Sequence, residues 1–311
     1  MKRIFKYTLL VAFSLMAVAC SEEDLKDQSV IINSVNEPTD FDAWLEQNYR
    51  APFNINFLYR YEDIETDMSY DLVPAKEIYS RIIAKMVRFL WLDPYTEVTD
   101  AHFMRSHSPR MMQVIGSGAY NQNNTLLLGT AEGGQKITLY VGNWLERFMT
   151  IHYNNNVDDK EGYWVEILDP DQVNYYYLHT IHHEFAHILH QKKMYPLDFN
   201  TISQGEYVAQ WTSISEEEAA KKGFVSRYGS SAQAEDFVEV FSYYLTWSPE
   251  VWNAKVAQGG EVGGARIERK IAIVKSYMKD TWGIDMDELR DVLARRYAEI
   301  DRLNWSDFKT E

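Results

Sequence analysis

His183-Glu184-Phe185-Ala186-His187 is the stretch of this chain whose residue types and spacing can do chemistry. Five of the eight histidines lie between His179 and His190. On a helical wheel His179, His183, His187 and His190 share one stripe, and Leu178, Ile181, Phe185, Ile188 and Leu189 share the opposite one. Such a helix is anchored by its apolar face and displays imidazoles on the other. Residues i and i+4 are about 6 Å apart along the axis. Two imidazole nitrogens can then converge on one zinc ion at ~2.1 Å each. Glu184 falls between them in azimuth, about 100° from His183 and about 60° from His187. A general base for water belongs there, beside the ion and not ligating it. A polar face that happens to be rich in His is the bland alternative. The apolar stripe behind it favours the metal, so one zinc per chain is the expected cofactor.

Two imidazoles do not complete a catalytic zinc site; a third protein ligand is needed. His190 shares the face but lies a further turn along, and a straight helix cannot bring three turns onto one tetrahedral ion. It is expected to be a polar neighbour of the site. Metzincin sites carry Gly at this position and a third His three residues later, where this chain has His190 and Lys193. The third ligand must come from another segment, and 228–239 is the best candidate. Glu235 and Glu239 sit at i and i+4 on one helical face, with Phe237, Val238, Phe241, Tyr244 and Leu245 on the opposite one. The spacing alone also allows two solvated carboxylates. It likewise allows Tyr228 to be one loop aromatic among 21 tyrosines.

The elements that must position these groups follow from periodicity and punctuation. Helices are predicted over 171–191, 215–222, 233–247, 262–281 and 286–302. Ser215-x-x-Glu218 is a capping box and Gly223 a C-cap. Glu216, Glu217 and Glu218 complement that helix's dipole. Glycines at 259, 260, 263 and 264 predict a break that separates the last two helices from the rest. Nearer the N-terminus, a short helix is predicted from Phe41 with Asp40 as N-cap, and a strand over Phe53–Tyr59. A helix is predicted over 74–92, with Pro94 just beyond its end. Met111–Ile115, Thr125–Leu128, Lys136–Val141 and Tyr163–Ile167 read as strands. The second and third of these form a hairpin through Glu132-Gly133-Gly134. Sheet first and helices after predict an α+β domain over 41–311. An edge strand of its sheet is the expected bed for an extended substrate.

Composition narrows the function. The 311 residues are 46% hydrophobic and 25% charged, which excludes a disordered or fibrous chain. A formal charge of −15 repels phosphate backbones and excludes nucleic acid as a partner. One cysteine excludes a disulfide framework and a Cys-rich metal cage. Aromatics make up 14% of the chain; exposed ones can line a peptide or glycan groove, and most belong to the core. Met1-Lys2-Arg3 and Lys6 precede an apolar run from Tyr7 to Val18, which reads as a secretory signal over 1–19. Its end, Ala17-Val18-Ala19-Cys20, resembles a bacterial lipobox, with cleavage before Cys20 and lipidation of its thiol. A plain signal with an incidental Cys is the alternative. Loss of residues 1–19 removes three basic groups and takes the charge from −15 to −18. Residues 20–40 read as a polar tether. Ser21-Glu22-Glu23-Asp24 resembles the export tag of surface lipoproteins in one group of Gram-negative bacteria, or is a solvated acidic linker.

His183–Gln191, Gly223–Ser226 with Tyr228, and Ala234–Glu239 together resemble the zinc-binding metallopeptidase lipoproteins, also described as substrate import-associated zinc metallohydrolase lipoproteins. The resemblance covers Cys20 and most of 40–300. It implies a zincin-like fold, a lipid anchor in the outer membrane facing the cell surface, and association with nutrient importers of the starch-utilisation type. The catalytic segments also resemble the anthrax lethal factor protease domain, in which a tyrosine lies seven residues before the zinc-ligating glutamate and another glutamate four after it. That likeness implies Glu235 as third ligand in the manner of Glu-zincins. It implies Glu239 as acceptor of a hydrogen bond from a ligating imidazole, and Tyr228 as a transition-state donor. The expected activity is zinc-dependent hydrolysis of a peptide or glycopeptide. A zincin-fold lipoprotein that only captures peptide or glycan for an importer is the alternative. The intact Glu184 speaks against it, because binding needs no general base.

Overall fold

A computed structural model describes residues 37–61, 69–121, 124–153 and 162–308. The signal segment, Cys20, the acidic cluster and most of the tether lie outside the described residues. Thr39–Glu311 forms one compact unit.

The strands among the described residues are β1 (Asn56–Leu58), β2 (Met111–Val114), β3 (Ala119–Tyr120), β4 (Leu126–Leu127), β5 (Gly129–Glu132), β6 (Lys136–Leu139), β7 (Met149–Tyr153) and β8 (Tyr163–Ile167). The main sheet has the order β1-β2-β6-β5, parallel except for β5 at its edge. The inner strands β2 and β6 are buried on both faces, through Met112, Val114, Ile137 and Leu139 on one and Gln113 and Thr138 on the other. The main helices are α1 (Asp40–Leu45), α2 (Glu77–Val87), α3 (Ala101–His107), α4 (Thr180–Lys192), α5 (Glu216–Lys222), α6 (Gln233–Thr246), α7 (Pro249–Gln258), α8 (Gly260–Tyr277) and α9 (Met286–Ala298). The result is a mixed α+β molecule with small sheets and mostly helical content.

Several boundaries differ from the sequence reading. The hairpin turn at Gly133 and Gly134 has the positive φ values its glycines suit, but the strand paired with β6 is Gly129–Glu132. Leu126–Leu127, inside the predicted strand, pairs with β3 instead. Thr39, not Asp40, caps α1. Its hydroxyl accepts from the Asp42 N–H, and the Asp42 carboxylate accepts from the Thr39 N–H at 2.7 Å. Ala51–Phe53 is a helical turn ended by left-handed Asn54, which shortens the predicted strand to Asn56–Leu58. Pro94 does not end a helix. A widened π turn, Arg88–Leu92, leads without a break into Asp93–Val98, and Pro94 stands directly after it. The break at the C-terminal glycines is one tight junction at Gly259, preceded by an unpredicted helix, α7. Gly263 and Gly264 lie inside α8, where a Cβ on Gly263 would come within 2.2 Å of the Ala220 carbonyl oxygen at the end of α5. Strand β7 was also not predicted, although Met149–Tyr153 alternates apolar and polar residues; it pairs antiparallel with β8.

The histidine helix sits in the middle of this frame. A π turn, Asn174–His179, runs directly into α4. Phe185 of α4 meets Trp91 and Tyr95 edge-on at 5.3 and 5.2 Å between centroids. Helix α6 packs on the other side. It is fixed to α8 by a fully buried ion pair, Lys270 to Asp236 at 2.6 Å. The Lys270 ammonium also donates to the Gly223 carbonyl at 2.7 Å, and Tyr207 donates to Asp236 at 3.0 Å. Breaking such a pair from one side leaves a buried charge uncompensated, so this cluster holds α6, and the carboxylates on it, in place against α8.

Candidate metal centre

His183 and His187 stand one turn apart on α4, and Glu235 faces them from α6. Glu235 Oε2 is 3.3 Å from His183 Nε2 and 3.3 Å from His187 Nε2. Three ligand atoms bound to one tetrahedral zinc at ~2.0–2.1 Å must lie about 3.3–3.4 Å from one another. Oε2 is also a buried carboxylate oxygen with no hydrogen-bond partner among the described residues. An orphaned acceptor at ligand-to-ligand distance from two imidazoles fits a cation and wastes a hydrogen bond without one.

Glu239, one turn along α6, behaves differently. Its Oε1 accepts from His183 Nδ1 at 2.8 Å and from His179 Nε2 at 3.0 Å, and its Oε2 accepts from the Ser226 hydroxyl. His179, His183 and Glu239 also cluster closely enough to suggest a cation. Their separations are hydrogen-bond lengths, however, and every carboxylate oxygen has its donor. The Nδ1 contact leaves His183 Nε2 free to face Glu235. The two glutamates thus engage opposite nitrogens of the same ring.

The imidazoles on α4 are not displayed to solvent, as the wheel suggests; α6 covers them. His179, His183 and His190 are buried. Burial opposes charge on His183, but Glu235 and Glu239 outweigh it and push its pKa up to about 10. Burial likewise opposes ionisation of Glu235 and Glu239, and the imidazoles override it and hold both well below the usual carboxylate range. Glu184 is raised by burial despite the two imidazoles beside it. It lies against the edge strand. A Cβ on Gly129 of β5 would come within 2.6 Å of Thr180 Cγ2 and 3.2 Å of Glu184 Oε1, so only glycine lets the strand run this close.

A family model described as "Putative zinc-binding metallo-peptidase" matches residues 34–287. The chain belongs to this family. A crystal structure of a putative zinc-binding metallo-peptidase from Bacteroides caccae is 42% identical, with 90% of this chain and 100% of that chain covered and a TM-score of 0.70. No curated protein matches this chain. The family makes the protein a zinc metallohydrolase, and the His/Glu groups of α4 and α6 are those that could bind the metal.

The remaining residues singled out in the sequence divide around this centre of the metallopeptidase. Tyr228 stands on a short turn, Tyr228–Ser231, with its ring centroid 6.0 Å from that of His183 and its residue surface 37% exposed. Burial of its hydroxyl and the nearby carboxylates, Glu235 foremost, push its pKa far up, so it stays a protonated donor. Trp211 packs edge-on against it at 5.2 Å. His190 is beside the centre, with its Nε2 3.1 Å from His187 Nδ1. Burial and the neighbouring imidazole push its pKa down to about 4, which keeps it neutral. His182 points away into the core, bonded to the Tyr95 hydroxyl at 3.1 Å; burial pushes its pKa down to about 3. Two residues of the cluster, His179 and Ser226, were given no role by the sequence reading. His179 could have been found as the i−4 neighbour of His183. Ser226 stood in the sequence only as part of the Gly223–Ser226 stretch that carries the family resemblance, with no role of its own.

Proposed function

We propose that the protein is a peptidase of the zincin type, with His183, His187 and Glu235 as zinc ligands and one zinc per chain. The observation that carries this reading is the unpartnered Glu235 Oε2, held 3.3 Å from both Nε2 atoms. Zinc, when bound, supplies Lewis acidity, which makes water a competent nucleophile near neutral pH. Glu184 takes the proton of the attacking water and returns it to the leaving amine. Its raised pKa brings it closer to the range where both transfers are efficient. The Tyr228 hydroxyl donates to the oxygen on which charge develops. Glu239 fixes the ring of His183, and His190 accepts from His187 Nδ1–H; both keep the Nε2 atoms turned toward Glu235.

The substrate lies extended along β5. The Tyr140 N–H bonds the Leu128 carbonyl at 3.0 Å, in the same register as Glu132 opposite Lys136. Leu128, Thr130 and Glu132 therefore bond inward to β6, and Gly129 and Ala131 turn their N–H and C=O groups to the outer edge. A peptide added there gains main-chain hydrogen bonds directly beside Glu184. Incubating the purified protein with a diverse peptide library tests this reading. Cleavage is expected with zinc, loss of cleavage with a chelator, and recovery on zinc addition. A zinc-loaded protein that cleaves nothing would reduce it to a peptide- or glycan-binding lipoprotein.

The location belongs to the same proposal. No helix of the described residues is long and apolar enough to cross a membrane. The anchor we propose is a lipidated Cys20 in the outer membrane, close to a nutrient importer. Cys20→Ser is expected to release the protein from the membrane fraction, and retention of that variant would refute the anchor. Replacing Glu22, Glu23 and Asp24 by Ala should keep the protein lipidated but protect it from protease shaving of whole cells, since such a tag is a receptor-read address. Undiminished shaving would make those acids plain linker.

A further inference from the structure

Ser226 stands where two parts of the centre meet. Its hydroxyl donates to Glu239 Oε2, and its oxygen accepts the Gly229 N–H at 3.0 Å. The first bond reaches His183, because Glu239 Oε1 holds His183 Nδ1 at 2.8 Å. The second closes the turn that carries Tyr228, which is tied further by the Ser230 hydroxyl donating to the Arg227 carbonyl at 2.6 Å. The Val208 N–H bonds the Ser230 carbonyl at 2.8 Å, fastening the turn to the preceding loop. Ser226 is buried, only 5% exposed, so water does not compete for these bonds. A single hydroxyl thus links the carboxylate that orients one imidazole to the turn that presents the tyrosine. Glu239 is itself locked by His179, which stacks on Tyr243 at 3.9 Å and 17°. Of the three donors to Glu239, only Ser226 lies outside α4 and the π turn that runs into it, and it alone can transmit its position to Tyr228.

We propose that Ser226 is a positioning residue that sets the ring of His183 and the turn of Tyr228 together, so that metal binding and oxyanion donation share one geometry. The proposal rests on the peptidase reading for its catalytic half only; its metal half stands without turnover. Three measurements on the full chain test it. Chelator competition should show zinc held ~10-fold more weakly in Ser226→Ala, the order expected for losing an outer hydrogen-bond partner. Ser226→Thr, which keeps the hydroxyl, should restore affinity. Ser226→Cys, close in shape but a weak donor, should behave as Ala does, and it serves if the Ala variant unfolds. In turnover, the loss of kcat caused by Tyr228→Phe should shrink sharply in the Ser226→Ala background, with KM little changed. Unchanged zinc affinity in a folded Ser226→Ala or Ser226→Cys variant overturns the metal half. An equal Tyr228→Phe loss in both backgrounds overturns the coupling. If the parent shows no turnover, the peptidase reading falls, and zinc competition alone decides the role of Ser226.

Discussion

Glu184→Gln is expected to leave zinc bound and to lower kcat roughly 10²–10⁴-fold, the range that general acid–base catalysis supplies. The carboxyl is buried against β5 and takes no part in the convergence of His183, His187 and Glu235. Gln matches its shape, so the close approach of Gly129 to α4 survives, but an amide cannot take and return a proton. Metal content and peptide turnover measured on the same sample separate the two effects. Loss of zinc in Glu184→Gln would mean that the residue supports the ligands. Undiminished turnover would remove it from the mechanism.

How much of this centre was legible in the sequence depends on the range of the interaction concerned. The His183/Glu184/His187 arrangement is local to one helix, and a helix's geometry follows from spacing alone. The capping box at Ser215 and the turn at Gly133-Gly134 are local too, and both stand where the sequence put them. The Glu235/Glu239 pair was visible as a helical face, but its division of labour depends on how α6 crosses α4. That crossing brings together groups such as His183 and Glu239, 56 positions apart in sequence, which no periodicity announces. The π turns at Arg88–Leu92 and Asn174–His179 were likewise hidden, because a widened turn leaves no compositional mark. The wheel presented the imidazole stripe as exposed because a wheel knows only its own helix; α6, which begins 41 positions after α4 ends, covers it. The role of Ser226 was illegible for the same reason: its two bonds reach residues 3 and 13 positions ahead, and only the folded turn brings them together.

The two glutamates on α6 should part ways on mutation, and in opposite directions for metal and for stability. Glu235→Ala leaves two imidazoles facing an ion that needs a third ligand, so near-complete loss of zinc is expected. Glu239→Ala removes an outer partner, and a weakening of ~10–100-fold is expected. For the metal-free fold the order reverses. The Glu239 side chain is 3% exposed and the Glu235 side chain 21% exposed. Without Glu239, His179, His183 and Ser226 lose their acceptor at once, and each buried donor left unpaired costs ~1–3 kcal/mol. Without Glu235, the loss of Oε2 orphans no donor of good hydrogen-bond geometry, because Oε2 has none among the described residues. Zinc competition and urea unfolding in the presence of chelator, run on both variants, give the two orders independently. If Glu239→Ala strips the metal while Glu235→Ala keeps it, the roles must be exchanged, and His179 with His183 and Glu239 becomes the metal set.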